Sequence, residues 1–335
     1  MPRKRAISKK KRKMKQLNKA QENGHFIFKN YIVCLIDLLG QSEQLKSWPP
    51  LPSSEHEILP FQHAVNKSLG VIESLTNDFK RFFDVFLDHS VPNRIPTPNG
   101  VDTADLIEYR QLAVKIRENK IGVQQFSDTL VFYVPLFPGS LQIPSLMPII
   151  TMTQVCSMLI IEYLSSGVVF RGGITIGVGT FTQKYGFYGP ALQKAHHLES
   201  KVARYPRIVF EKDLLATLHK QARNTLGPDL RRVFFAESVM LHGWIFTDKE
   251  GIESIDFMGK GMVELARRGP VDKKMEFKEK IRNAYNFVCS EETRFSQEKM
   301  SESDEKIKKA KETLFERYKT LREYMDSRLD SWDQI

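Results

Sequence analysis

Cysteine is scarce in this chain: Cys34, Cys156 and Cys289 are the three in 335 residues, far apart and within or beside apolar runs. That excludes a disulfide framework and a cysteine-rich zinc module, and it fits a reducing cytoplasm. Long apolar runs are also missing. The longest, Ile143 to Leu164, is broken by Pro148, Gln154 and Glu162 and reads as a core helix, with no membrane span expected. The N-terminus has no apolar core of a signal peptide, no Gly-Lys-Ser/Thr follows the glycines at 172–179, so no P-loop is expected, and His196-His197 lacks a third ligand at metal spacing. Basic charge is confined as well: residues 1–24 hold ten Lys/Arg and one acid, so they supply +9 of the formal +10. The remainder is close to neutral, which sets nucleic acid aside as the expected partner of the body. The arm itself, 1–24, is expected to be disordered, a solubility or weakly polyanion-binding tail.

What is present is a full complement of core residues, 41% hydrophobic, and two carboxylates in odd places. Tyr31-Ile32-Val33-Cys34-Leu35-Ile36 is an unbroken apolar run expected for a central strand covered on both faces, and it closes on Asp37. Asp128 sits with Ser127 in the turn of a hairpin between Ile121–Phe126 and Thr129–Val134. Neither acid has a packing reason to be there. A strand-end Asp can also be a simple helix cap, and the two acids matter more as a pair than singly.

The order of elements brings them together. After the first strand come helical segments from Gln41 to Phe86, interrupted at Trp48-Pro49-Pro50, then a proline-rich loop from Val91 to Asp102. A hairpin (121–136), a helix (about 144–166), a strand (Val168 to Ile176), a Gly-rich bend, a helix (about 190–204) and a strand at Ile208-Val209-Phe210 follow. This is a split β-α-β arrangement of ferredoxin-like type, an α+β fold in which the first and third strands are antiparallel neighbours. Asp37 and Asp128 then meet although they are 91 positions apart. Two such acids repel unless cations lie between them, as in metal sites for phosphate chemistry. The domain reading is arm 1–24, body 25–270, and at 271–335 a charged extension of one or two amphipathic helices, packed on the body or on a second subunit.

Arg171-Gly172-Gly173-Ile174-Thr175-Ile176-Gly177, followed by Tyr185-Gly186-Phe187-Tyr188-Gly189 and Gln193-Lys194-Ala195-His196-His197-Leu198-Glu199-Ser200, resembles class III nucleotidyl cyclases. Their pattern runs R-x-G-I-x-x-G, then Y-D-x-x-G-x-x-V-N-x-A-x-R-L-E-S. With Asp37-Leu38-Leu39-Gly40 and Phe126-Ser127-Asp128 the similarity covers about residues 30–210. The departures narrow it. Gln124 and Gly186 stand where purine cyclases place a base-reading Lys and Asp, and Gln193 and His197 stand where they place a transition-state Asn and Arg. That pattern looks like the Pycsar-type pyrimidine cyclases of bacterial antiphage signalling.

The resemblance implies conversion of UTP or CTP to the 3′,5′-cyclic monophosphate and pyrophosphate, a product that acts on a separate effector, and a homodimer with shared active sites. It implies two divalent cations, Mn²⁺ or Mg²⁺, on Asp37 and Asp128 with the carbonyl of Leu38 as a further ligand. The substrate would meet the N–H groups of Leu39, Gly40 and Gln41, and Arg171 as a phosphate contact or a structural ion pair. It would also meet Gln124, Gly186, Tyr188 and Gln193, with His197 or Arg204, seven residues on and on the same helical face, supplying positive charge. Alternatives are an adenylate or guanylate cyclase, a cyclase-like module without catalysis, and a nucleic-acid protein led by its arm. Nothing in the residues separates UTP from CTP.

Overall fold

The chain's central strand is built from residues that cannot be left in water. A computed structural model describes residues 27–40, 54–90, 104–136 and 145–333, and in it β1 (Lys29–Leu38) pairs antiparallel with β3 (Thr129–Pro135) on one side and β4 (Phe170–Thr182) on the other. Tyr31 through Ile36 are all buried. Alternation sends Ile32, Cys34, Ile36 and Leu38 into the main core, beneath α1 (Glu55–Ser90) and α3 (Met147–Ser165). Tyr31, Val33 and Leu35 face a smaller cluster with Phe187, Ala191 and Ala195. On the main-core side Phe79 of α1 stacks on Phe132 of β3 with ring centroids 3.6 Å apart. The expected two-sided cover of β1 is therefore present.

The fold is α+β, with a mixed, mostly antiparallel open sheet. β2 (Gly122–Phe126) pairs with β3 at one edge, and the order runs β2-β3-β1-β4, continuing through β6 (Ile208–Phe210), β8 (Glu253–Ile255) and β7 (Ile245–Thr247). β6 lies parallel to β4, and β5 (Gly186–Tyr188) folds back on the far end of β4. The antiparallel neighbours β1 and β3 are those the sequence order predicted. Helix α3 is long and apolar enough to cross a membrane, but it is the packed interior helix of this core.

Several elements differ from expectation. The helix expected over about 190–204 is α4 (Pro190–His197), and a π-helical turn, Leu198–Val202, continues it before the backbone leaves helical angles at Ala203. The glycines 172–179 do not make a bend. They lie inside β4, which runs unbroken for 13 residues, and two of them are where α4 and the turn after it pack closest: a Cβ on Gly173 would lie 2.5 Å from Leu198 Cβ, and one on Gly177 3.3 Å from Ala191 Cβ. α2 (Ala104–Arg117) and the stretch 211–270, with α5 (Leu214–Thr225), α6 (Pro228–His242) and α7 (Lys260–Arg268), carried no expectation beyond membership of the body. The basic arm, the Trp48-Pro49-Pro50 interruption and the loop from Val91 to Asp102 lie outside the described residues.

The charged C-terminal segment is two helices, α8 (Val271–Ser301) and α9 (Glu305–Asp333), which join the main core through Ile281, Val288, Leu321 and Met325. A polar clasp holds α9. Asp256, beyond β8, accepts from the Tyr324 hydroxyl at 2.8 Å and from Arg328 Nε at 3.0 Å, the same hydroxyl accepts from the Met258 N–H, and Trp332 Nε1 donates to the Met258 carbonyl. Removing one member strands the others in a buried place. Asp256→Ala is expected to cost about 3–5 kcal/mol, against about 1 kcal/mol for an exposed ion pair such as Arg267→Ala, compared by urea unfolding.

Candidate functional site

At the end of β1 one cross-strand row holds the first acid: Asp37 lies opposite Thr129 of β3 and Arg171 of β4. Ser127 and Asp128 form the two-residue loop of the β2–β3 hairpin, with Ser127 in the left-handed region at φ +54°. The Leu38 N–H donates to the Asp128 carbonyl at 3.2 Å. The sheet thus places the two predicted acids at the same end, and Asp37 feels the charge of Asp128.

Three further side chains fix Asp37. The Thr129 hydroxyl donates to Asp37 Oδ1 at 3.1 Å, and Arg171 Nη2 stands 3.5 Å from Oδ2. The same guanidinium pairs with Glu199, Nε to Oε1 2.6 Å. Glu199 arrives on the π-helical turn after α4, and the missing side chain at Gly173 is what lets that turn sit on the sheet. Arg171 is therefore an ion-pair residue that braces two acids.

The electrostatics are those of crowded carboxylates. Burial pushes Asp37 above its ordinary range and Asp128 adds to this, while the Thr129 hydrogen bond, Arg171 and a hydrogen bond shared with Glu199 pull the other way. Glu199 is raised first by burial and also by Asp37, against the opposing charge of Arg171. One guanidinium does not compensate for three acids. Among the described residues no group of three or more His, Cys, Asp or Glu side chains is arranged around one metal position.

The candidate base-reading residues also meet. Gln124 Oε1 accepts the Phe187 N–H at 2.5 Å, and Gly186, at φ +72°, packs so closely on the Gln124 amide that a Cβ would lie 2.3 Å from Oε1. Gln124 stands in the row Gln124–Val131–Leu35–Gly173, two residues from the Asp37 row, or about 7 Å along the strand, and on the same face. Tyr188 is two residues on and largely exposed.

The remaining predicted residues lie elsewhere. Gln193 and His197 are exposed on α4 and line a polar cleft of about 670 Å³ with Lys194, Glu211 and Glu250. Glu211 accepts from both Lys194 and Thr175. Neither Gln193 nor His197 joins the acid cluster. Arg204 does not share their helical face, because the π-helical turn and Ala203 end the helix before it; it pairs with Glu250 at 3.4 Å on the surface. The Leu39 N–H, expected to hold phosphate, is taken by the Val169 carbonyl at 2.8 Å, which leaves Gly40 at φ +84°, with Gln41 outside the described residues.

Comparison with known proteins leaves the site to speak for itself: no protein-family model matches the chain and no curated protein matches it. Sequence reasoning missed Thr129 and Glu199 as members of the cluster. The available signals were an acid following α4 in Leu198-Glu199-Ser200 and a hydroxyl one residue beyond Asp128.

If Arg171 braces the acids, Arg171→Met leaves Asp37 and Glu199 facing one another and is expected to destabilise the fold by about 3–5 kcal/mol at pH 8. Both acids hold protons more tightly folded than unfolded. Their ionisation therefore costs stability as pH rises above the unfolded carboxylate range near about 4. The deficit of the variant relative to the native chain should shrink by pH 5, as read from urea midpoints at the two pH values.

Proposed function

We propose that this chain is a pyrimidine nucleotide cyclase with a class III cyclase-like core of ferredoxin type, converting UTP, or CTP, to the 3′,5′-cyclic monophosphate and pyrophosphate. The observation that carries the reading is the meeting of Asp37 and Asp128 at one end of the β1–β3 pair from positions far apart in the chain. An acid pair without a full complement of cations invites hard divalent ions. The donors present, two carboxylates and the Leu38 carbonyl, are all oxygen, which suits Mg²⁺ or Mn²⁺ and not zinc. When bound, such ions supply Lewis-acid stabilisation of the triphosphate and of the attacking 3′-oxygen.

The residues of the chain supply position. Thr129 and Arg171 hold the two oxygens of Asp37 from opposite sides, so that the carboxylate presents a fixed face. The exposed Gln193 and His197 stand apart from the acid cluster of their own chain, which supports a site completed by a second copy.

Gln124 points to the base. Its Oε1 is engaged by the Phe187 N–H, so its Nε2 is left as a donor. At the 4-position uracil offers an acceptor oxygen and cytosine an amino donor, so the free amide edge favours UTP. Purine recognition by a charged Lys–Asp pair has no counterpart at Gln124 and Gly186. The cyclic product would serve as a signal to a separate effector protein.

A second reading is a cyclase-like nucleotide-binding module without turnover, favoured by the Arg171 guanidinium lying against Asp37 where a cation would sit. One assay separates the two. Protein incubated with each of the four NTPs and Mn²⁺ should yield cyclic UMP at least tenfold faster than cyclic AMP or cyclic GMP, identified by mass spectrometry. Asp37→Asn and Asp128→Asn should each retain under a tenth of that rate with unchanged circular dichroism. Cyclic AMP as the main product would overturn the pyrimidine assignment, and no cyclic product from any nucleotide would leave the binding module.

A further inference from the structure

Helix α9 brings a positive charge to the acid end of the sheet without bringing a partner for it. Gly167, where the chain leaves α3 for β4, packs against Phe287 of α8 so closely that a Cβ would lie 3.3 Å from the ring. Phe287 in turn meets Tyr318 of α9 edge-on, with centroids 6.3 Å apart. Arg317 is the residue before that tyrosine, and Arg171 stands four residues beyond Gly167. The Val169 carbonyl of the same segment holds the N–H of Leu39, two residues past Asp37. Packed rings thus carry Arg317 to the place where the acids emerge, and its guanidinium feels the charge of Arg171.

Two observations set this arginine apart from the scaffold. The other arginines of α9 are paired, Arg322 with Glu292 and, at 2.6 Å, with Asp326, and Arg328 with Asp256 at 3.0 Å. Arg317 has no hydrogen bond and no ion pair among the described residues. It is also partly buried. Burial, and after it the like charge of Arg171, push its pKa below the ordinary arginine range, with no carboxylate among the described residues pulling the other way. An arginine does not give up its proton to escape such a position. A guanidinium partly withdrawn from water beside a second cation is therefore a cost that an anion removes.

We propose that Arg317 is a ligand contact supplied by the C-terminal helices, an oxyanion site for the phosphate tail of a nucleoside triphosphate. Naming that tail as substrate rests on the cyclase reading; the oxyanion chemistry does not. A guanidinium presents a planar fork that matches two oxygens of a phosphate, and it is more weakly hydrated than an ammonium, so it can bind while partly withdrawn from water. Arg171 is already held by Asp37 and Glu199, which leaves Arg317 to meet the phosphate. A polyphosphate carries charge along its length, so one end can lie on Arg317 while the rest lies toward the acid pair and its cations. A single phosphate or carboxylate has charge for the arginine alone.

Thermal unfolding of the full chain, in EDTA and again with Ca²⁺, separates a ligand contact from a scaffold contact. Arg317→Met keeps the stem on the helix and removes the charge. Without ligand its Tm should equal or exceed the native value, because a repulsion is lost and no ion pair. Pyrophosphate and UTP should raise the native Tm, and the rise should fall by at least about half in Arg317→Met, with Arg317→Lys between the two. Inorganic phosphate at the same concentration should raise it less, and uridine not at all. With Mn²⁺, Arg317→Met should raise KM for UTP at least about tenfold while lowering kcat less than about threefold. A ligand-free Tm loss in Arg317→Met that Arg317→Lys repairs would overturn the proposal, by placing Arg317 in an ion pair of its own chain. So would no rise with pyrophosphate or UTP in the native protein, or an equal rise in native and variant. A rise from inorganic phosphate as large as that from UTP would overturn it by assigning the arginine to free phosphate. If no nucleotide is cyclised while the pyrophosphate and UTP rises still depend on Arg317, the cyclase reading falls and the phosphate-tail contact stands. If Arg317→Met cyclises UTP at the native KM with unchanged rises, the contact falls and the cyclase reading stands.

Discussion

The structure depends on one strand having no free side. Between β3 and β4, with helices over one face and Phe187, Ala191 and Ala195 over the other, β1 has no exposed position from Tyr31 to Ile36. Burial of such side chains stabilises by about 1.5–3 kcal/mol each, and a charge among them would cost more than that. An acid is tolerated on this strand only at its ends. There Asp37 emerges beside a hairpin turn and an arginine, and everything proposed about phosphate chemistry follows from what those neighbours hold.

The neighbours themselves are placed by close approach. A run of small residues in β4 lets α4 and its π-helical turn lie directly on the sheet, which delivers Glu199 to the far side of Arg171. The result is a partly buried network in which a single cation braces two acids and a third stands nearby. Such a network is a poor source of stability but a precise way to orient a carboxylate. The same face carries Gln124, whose amide is oriented by a main-chain N–H and not by another side chain.

The C-terminal helices belong to the same core. Packing in the main core and the clasp at Asp256 tie α8 and α9 to the side of the sheet that carries β8.

Strand β1, the β2–β3 hairpin, α3 and the meeting of Asp37 with Asp128 were legible in the sequence, because apolar runs, two-residue turns and element order act locally and leave few topologies. Short strands such as β7 and β8, the end of α4 at His197, the removal of Arg204 from that helix and the capture of the Leu39 N–H by Val169 were not. Each depends on what a distant segment brings alongside. Glu199 shows the distinction most clearly: in the sequence it is one acid among 40 Asp and Glu, and only the packing of α4 on a glycine-lined strand makes it the partner of Arg171.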